Sequence, residues 1–363
     1  ACSEAVEGIL KMPGAYMCTA PGRAGIIGNP TDMYGGSVIS CSTRERAVVL
    51  IEPADVLSFE VAGHRRVIQP SDELKPDGGY FDVAMAVVDY LNLNNALFSL
   101  RWACDVPFRA GLSSSSALIV SILNAVLAYM GRTVHIYYRA EMARHIELHY
   151  LVLCGYQDAY MCTIGGLNFL DFREKQFYRA LADEPYATVE PLVPFIDEYP
   201  FVLAHTGIKR NSARVHQPIR ERWLEGDREV VRSYLRIAHV ARMGKRSLLE
   251  ADWRTLGELM VENHEIQRDL GGSGPENERL IRAALNAGAL GAKLAGAGAG
   301  GTIIALAPDP EPVIRELKRA GASRILSPRP SPGVTITPLR NDADRRTAEA
   351  ELLKRSRRED LAD

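Results

Sequence analysis

Four consecutive serines, Ser113 to Ser116, stand between a β-type segment and a long apolar one, and this juxtaposition constrains the fold more than any other feature of the chain. Phe98 to Cys104 is rich in β-preferring residues and predicts a strand. Ala117 to Met130, interrupted by Ser121 and Asn124, predicts an apolar helix. The connecting loop, Asp105-Val-Pro-Phe-Arg-Ala-Gly-Leu followed by the serines, therefore brings backbone N–H groups to a helix N-terminus, which is a ready anion site. Gly111 permits close approach of the backbone to a phosphate, and a serine hydroxyl can reach a phosphate-bound Mg²⁺. One serine is enough to cap a helix. Four in a row exceed that need, so phosphate binding is the better account.

The loop is neither a Walker A loop nor a protein-kinase element. No G-x-x-x-x-G-K-[ST] occurs in the chain, and no protein-kinase HRD or DFG element. With 363 residues the chain exceeds the size at which one core stops growing, so two domains with a cleft are expected. A net charge of −2 gives no basic field for nucleic acid. Ala117 to Met130 is too short to cross a bilayer, and the N-terminal residues lack a signal-peptide layout, so no membrane partner and a cytoplasmic location are expected. The six cysteines show no CxxC pair and are expected to be reduced packing residues.

Strand and helix patterns alternate without a fixed repeat, which predicts an α+β architecture. Further strands are expected at Tyr16 to Ala20, Ser37 to Ser40, Arg46 to Ile51 and Ser58 to Val61. Helices are expected at Phe81 to Leu91 and Arg139 to Leu153. The charged, Pro-containing stretch from Arg173 to Tyr199 is assigned to connecting structure and the domain boundary is placed there: 1–195, 196–340, and a charged, helical, peripheral tail at 341–363. In the second part, strands at Pro200 to Ala204, Lys293 to Leu294, Thr302 to Leu306 and Val334 to Pro338 are interleaved with helices near Gln217, Arg228, Thr255, Glu276 and Glu311.

Two other segments are punctuated by glycine. Ala20-Pro-Gly-Arg-Ala-Gly-Ile-Ile-Gly-Asn-Pro-Thr-Asp-Met-Tyr-Gly-Gly suits a strand, a turn and a second strand start, with Asn29, Pro30, Gly35 and Gly36 as turn residues. Its charged pair, Arg23 and Asp32, points to function. Gly296, Gly298 and Gly301 have G-x-G-x-x-G spacing, yet Thr-Ile-Ile-Ala-Leu follows, a β-type run where a dinucleotide fold needs a helix. A glycine turn between strands fits better.

Taken in order, these segments resemble the three motifs of the GHMP kinases, the family of galactokinase, homoserine kinase, mevalonate kinase and phosphomevalonate kinase. The second motif is matched by Pro107, three residues, then Gly111-Leu-Ser-Ser-Ser-Ser-Ala. The resemblance implies a two-lobed α+β fold, with an N-terminal ribosomal-protein-S5-like lobe and a C-terminal ferredoxin-like lobe, and ATP and Mg²⁺ as cofactors. It implies ATP contacts along Pro107, Gly111, Leu112, Ser113, Ser114, Ser115, Ser116 and Ala117, with Ser115 as the Mg²⁺-binding serine. Glu147 takes the place of a second Mg²⁺ ligand, although a solvated helix residue fits that position equally well. Asp158, in Gly155-Tyr-Gln-Asp ahead of Gly165-Gly166, corresponds to the aspartate that orients or deprotonates the substrate hydroxyl. Arg23 is the cation that lowers the hydroxyl pKa or holds the transferred phosphoryl group, unless it is a surface ion pair. Asn29, Asp32, Gly296 and Gly298 are implied substrate contacts, together with Arg23 and Asp158. Gly28-Asn29-Pro30 departs from the Gly-Glu-His of many relatives.

The Ser-Ser-Ala-Leu phase of the loop and Gly-Asn-Pro-Thr-Asp-Met-Tyr are closer to glucuronokinases and heptose-phosphate kinases than to galactokinases. Thr206-Gly-Ile-Lys-Arg210 is nearer to the heptose kinases. Both branches phosphorylate an anomeric hydroxyl. Arg210 and Arg214 suit an anionic group on the acceptor, a uronate carboxylate or a sugar phosphate; Arg214, Arg220 and Arg222 equally suit one solvated helix face. The expected function is an ATP-dependent sugar 1-kinase acting on an acidic sugar, glucuronate first. A heptose 7-phosphate 1-kinase, a mevalonate-type alcohol kinase and a non-catalytic sugar- and nucleotide-binding protein are the alternatives.

Overall fold

Two long antiparallel strands, β1 (Ala15–Ile27) and β2 (Ser37–Pro53), form the spine of the first sheet. The computed structural model describes residues 14–176, 179–208, 212–296, 298 and 300–359, without the side chains of 212–216 and 357–359. Around the spine lie β3 (Ser58–Val61), β4 (His64–Val67), β5 (Phe98–Cys104), β6 (Leu167–Asp171), β7 (Thr188–Pro191) and β12 (Thr335–Leu339). Their order is β12-β1-β2-β5-β3-β4, with β6 and β7 continuing from the other half of β2. β3 and β5 are parallel and the remaining pairs antiparallel.

The apolar run after the serines forms α2 (Ser114–Tyr129), which packs across β1 and β2 and buries Ile119, Ile122, Leu123 and Val126 completely. Gly131, at φ 65°, follows its last turn as a left-handed terminator. Beside α2 stand α1 (Asp82–Tyr90), α3 (Ile136–Ile146) and α4 (Gln157–Ile164). The second sheet is antiparallel in the order β11-β8-β10-β9, from β8 (Phe201–His205), β9 (Gly291–Leu294), β10 (Thr302–Leu306) and β11 (Arg324–Leu326). α5 (Ser212–Leu224), α6 (Arg228–Leu249), α7 (Trp253–Asp269), α8 (Pro275–Asn286) and α9 (Pro310–Arg319) complete that half. The α+β class follows from these two sheets.

Several expectations are corrected. The strand expected at Tyr16 to Ala20 runs on as β1 to Ile27, with register shifts between Pro21 and Arg23 and between Gly25 and Ile27, and the turn comes at Gly28 to Gly36, around the expected turn residues Asn29, Pro30, Gly35 and Gly36. The helix expected to reach Leu153 ends at Ile146 and passes into a π-turn, Glu147–Leu151, in which the Val152 N–H donates to the Glu147 carbonyl. β12, placed by sequence with the second domain, pairs instead with β1, so the chain returns to the first sheet. β4, α4, β7 and β11 fall where no regular element is expected.

The charged tail is α10 (Asp342–Glu359), and it is not peripheral. Ala348 is buried against Leu50 and Leu339. Arg355 reaches Asp105, at the mouth of the Ser-rich loop, with Nη1 2.6 Å from Oδ1 and side-chain exposures of 9% and 1%. The same oxygen accepts from the Arg46 N–H at 2.7 Å. Removing one partner of a buried pair leaves the other charge uncompensated, so Arg355→Ala is expected to cost on the order of 3 kcal/mol in urea denaturation. Lys354→Ala, which breaks only an exposed contact with Glu351, is expected to cost less than about 1 kcal/mol.

Candidate active site

One guanidinium gathers three distant segments of the chain. Arg23, on β1 and 6% exposed, donates through Nε to Asp158 Oδ1 at 2.7 Å and holds the same oxygen through Nη2 at 2.5 Å. Its Nη1 donates to the Gly111 carbonyl at 2.7 Å in the Ser-rich loop and to the Ala295 carbonyl at 3.5 Å in the glycine turn after β9. Backbone bonds run alongside, from Arg23 N–H to Leu112 O and from Gly25 N–H to Ala295 O. Gly22 allows the first approach, since a Cβ there would lie 2.7 Å from the Leu112 carbonyl. Both Arg23 contacts fall on Oδ1 of Asp158, leaving Oδ2 without a hydrogen-bond partner among the described residues.

The π-turn after α3 sets Glu147 across the start of α2. Ser115 Oγ donates to Glu147 Oε1 at 2.5 Å and Ser116 Oγ to Oε2 at 2.6 Å. Burial, and next the Asp158 charge, push the Glu147 carboxyl up to about 7, against the two serine bonds and Arg23, which act to lower it. A buried carboxylate beside a serine hydroxyl is a hard oxygen pair that suits Mg²⁺, and a cation there would compensate the negative charge that burial disfavours. Among the described residues no three His, Cys, Asp or Glu side chains converge to hold a metal by themselves. A metal at Ser115 and Glu147 would thus need nucleotide oxygens to complete its shell.

Gly111 at φ 77° and Ser113 at φ 66° turn the loop left-handed before α2 begins. Across from it, Asp32 accepts from the Gln157 N–H at 2.9 Å, at the start of α4. Burial and then the Asp158 charge raise the Asp32 carboxyl above its ordinary value. Gly155 is required beside it, because a Cβ would stand 1.9 Å from Asp32 Oδ2. Asn29 accepts from the wholly buried Lys293 at 2.7 Å and donates to the carbonyls of Leu294 and Gly296. Burial, with Arg23 nearby, brings the Lys293 ammonium down to about 7. Asn263 completes this seam, accepting from the Gly28 N–H and donating to the Asn29 carbonyl.

These residues enclose a cleft of about 490 Å³. Of the residues expected from sequence, Arg23, Asn29, Asp32, Gly111, Ser113, Ser114, Ser115, Glu147, Asp158 and Gly296 line it. Pro107, Leu112, Ser116 and Ala117 do not: they are buried behind the loop, Leu112 and Ser116 serving Arg23 and Glu147. Gly298 is also off the cleft, at φ 94° against the Gly272 carbonyl. Arg210 lies outside the described residues, as does the side chain of Arg214. The solvated alternative for Glu147 and the surface-pair alternative for Arg23 are overturned by their burial. Lys293, Asn263 and Gln157 were missed: Lys293 and Asn263 are single polar residues inside a strand and a helix with nothing local to mark them, and Gln157 stands beside Asp158, which drew the assignment of that segment.

Residues 77–166 match the GHMP kinases N terminal domain and residues 245–323 the GHMP kinases C terminal domain, while residues 11–53 match the galactokinase galactose-binding signature. Glucuronokinase 1 of Arabidopsis thaliana is 27% identical over 311 residues, covering 79% of this chain and 83% of its own. A mevalonate kinase of Methanothermobacter thermautotrophicus is 28% identical over 292 residues, covering 80% of this chain and 89% of its own. The crystal structure of the Lin0012 protein of Listeria innocua superposes with a TM-score of 0.76 at 18% identity, covering 89% of this chain and 99% of that one.

The raised Glu147 value has a measurable sign. Between its ordinary 4.5 and about 7, the folded protein keeps a proton that the unfolded chain has released. Stability attributable to this group therefore falls as pH rises through that window and is level above it. Urea denaturation at about pH 5 and about pH 8 is expected to show Glu147→Gln gaining on the wild type at the higher pH; an equal difference at both would contradict the assignment.

Proposed function

The chain belongs to the GHMP kinases, phosphotransferases with an alcohol acceptor, and from that premise we propose a sugar 1-kinase that uses ATP to phosphorylate the anomeric hydroxyl of an acidic sugar, glucuronate first. The observation that carries this reading is the Arg23–Asp158 pair. Its carboxylate, 25% exposed, opens on the same cleft as the N-terminus of α2 and keeps Oδ2 without a hydrogen-bond partner among the described residues.

In the proposed reaction the loop amides and the α2 N-terminus take the phosphates of ATP. The sugar hydroxyl lies against Asp158 Oδ2. Its oxygen attacks the γ-phosphorus, the bond to the β–γ bridging oxygen breaks, and ADP leaves. The hydroxyl proton passes to Asp158, and Arg23 fixes that carboxylate while keeping its negative charge paired. Ser115 and Glu147 are the residues that would hold Mg²⁺, which supplies charge neutralisation on the β- and γ-phosphates when bound.

The acceptor is inferred from two features. The sugar-binding signature spans the strand and turn that carry Arg23, Asn29 and Asp32, which favours a sugar over an open-chain alcohol. The glucuronokinase relative favours a uronate among sugars. Arg210 is the proposed partner of the acid group, by the affinity of guanidinium forks for carboxylates.

A panel of glucuronate, galactose, a heptose 7-phosphate and mevalonate, with product read by ³¹P NMR, tests the reading. Glucuronate is expected to give the fastest ATP turnover and a 1-phosphate. Turnover with the heptose phosphate alone would move the enzyme to that branch, and no stimulation by any acceptor would sink the kinase assignment. With the active acceptor, Asp158→Asn is expected to lower kcat by about 10²–10⁴-fold while ATP affinity stays nearly unchanged.

A further inference from the structure

The cleft is lined, among the described residues, by three carboxylates, Asp32, Glu147 and Asp158, against two guanidiniums, Arg23 and Arg109. Arg23 is committed to Asp158. A cleft of that balance repels a nucleotide triphosphate unless cations meet it, Mg²⁺ at Ser115 and Glu147 and any side chain left uncommitted. Arg109 is the uncommitted side-chain cation of that lining among the described residues. It is exposed, its guanidinium rests over the Phe108 ring at 5.3 Å, and it has no hydrogen-bond or ion-pair partner among the described residues.

Its backbone adds a second, independent observation. Arg109 has φ 52°, in the left-handed region that glycine occupies at least cost. The loop makes three such turns in five residues, at Arg109, Gly111 and Ser113, and only the middle one is glycine. An arginine at the first position strains the loop in exchange for a side chain that glycine lacks, and non-glycine residues held this way concentrate where ligands are gripped. Two residues on is Gly111, and then come the serines whose amides open α2.

We propose that Arg109 leaves the Phe108 ring and pairs with phosphate oxygens of the donor nucleotide, making it a specificity-determining residue for a triphosphate. A guanidinium presents parallel N–H donors that match two phosphate oxygens. The inference rests on the reading of this cleft as an ATP site. It assigns Arg109 to the donor side, since the residue belongs to the same loop as the anion-binding amides and not to the strand and helix that carry Arg23 and Asp158.

Arg109→Gly separates binding from folding, because it removes the cation while relieving the left-handed strain. Binding of ATP and of adenosine by calorimetry, KM for each substrate, and the thermal midpoint are measured on the wild type, Arg109→Gly and Arg109→Lys. Arg109→Gly is expected to weaken ATP binding about tenfold or more, the scale of one charge-assisted hydrogen-bonded contact. Its adenosine affinity is expected to stay unchanged and its thermal midpoint to equal or exceed that of the wild type, with Arg109→Lys recovering most of the ATP affinity. Unchanged ATP binding in Arg109→Gly, where the wild type binds ATP, would overturn the contact alone. An equal loss for adenosine would mark a collapsed loop, and a rise confined to the acceptor KM would place Arg109 on the acceptor; either overturns the proposal. A wild-type enzyme that binds no ATP would overturn the cleft reading and this contact with it.

Discussion

The ion pair between Arg23 and Asp158 is the interaction on which the geometry of the cleft depends. Its guanidinium is buried, and its remaining donors go to backbone carbonyls of the Ser-rich loop and the glycine turn. Segments 88 and 272 residues away in sequence are thereby tied to one side chain. Arg23 is buried while the Asp158 carboxylate is partly open to the cleft, and the guanidinium's bonds to two backbone carbonyls as well as to the carboxylate hold the three segments in one arrangement. That rigidity is what positioning a hydroxyl against a phosphoryl group requires.

The second support is mechanical. Asp105, where β5 gives way to the loop, is held from behind by Arg46 and by Arg355 of α10, while the loop's far end is held by the serine bonds to Glu147. The returning strand β12 brings α10 into place against the first sheet. Ser-rich loop, π-turn and C-terminal helix therefore form one connected unit, although the helix comes from the far end of the chain.

Much of this was legible in the sequence because its signals are local. A strand, a glycine and four serines ahead of an apolar run specify a loop at a helix N-terminus without reference to anything distant, and the glycine segments mark where backbones come together. Partnerships across long separations were not legible. Nothing around Arg355 indicates Asp105, 250 residues away, and a charged helical tail looks the same whether docked or free. Lys293 sits in a short β-type run where its burial depends on Asn29 from the other half of the molecule. The α4 helix was hidden because it is only 8 residues long and follows Gly155, a glycine demanded by Asp32 and not by a chain end. Glu147 was readable as a position and not as an environment, since the π-turn that buries it is set by contacts with α2.

The most direct test of the account is the rate of the phosphoryl-transfer step itself, by rapid quench in a single turnover, in Arg23→Met. If the pair organises the reacting groups, this step falls by at least about 10²-fold with ATP still bound. A transfer step at the wild-type rate would contradict the account.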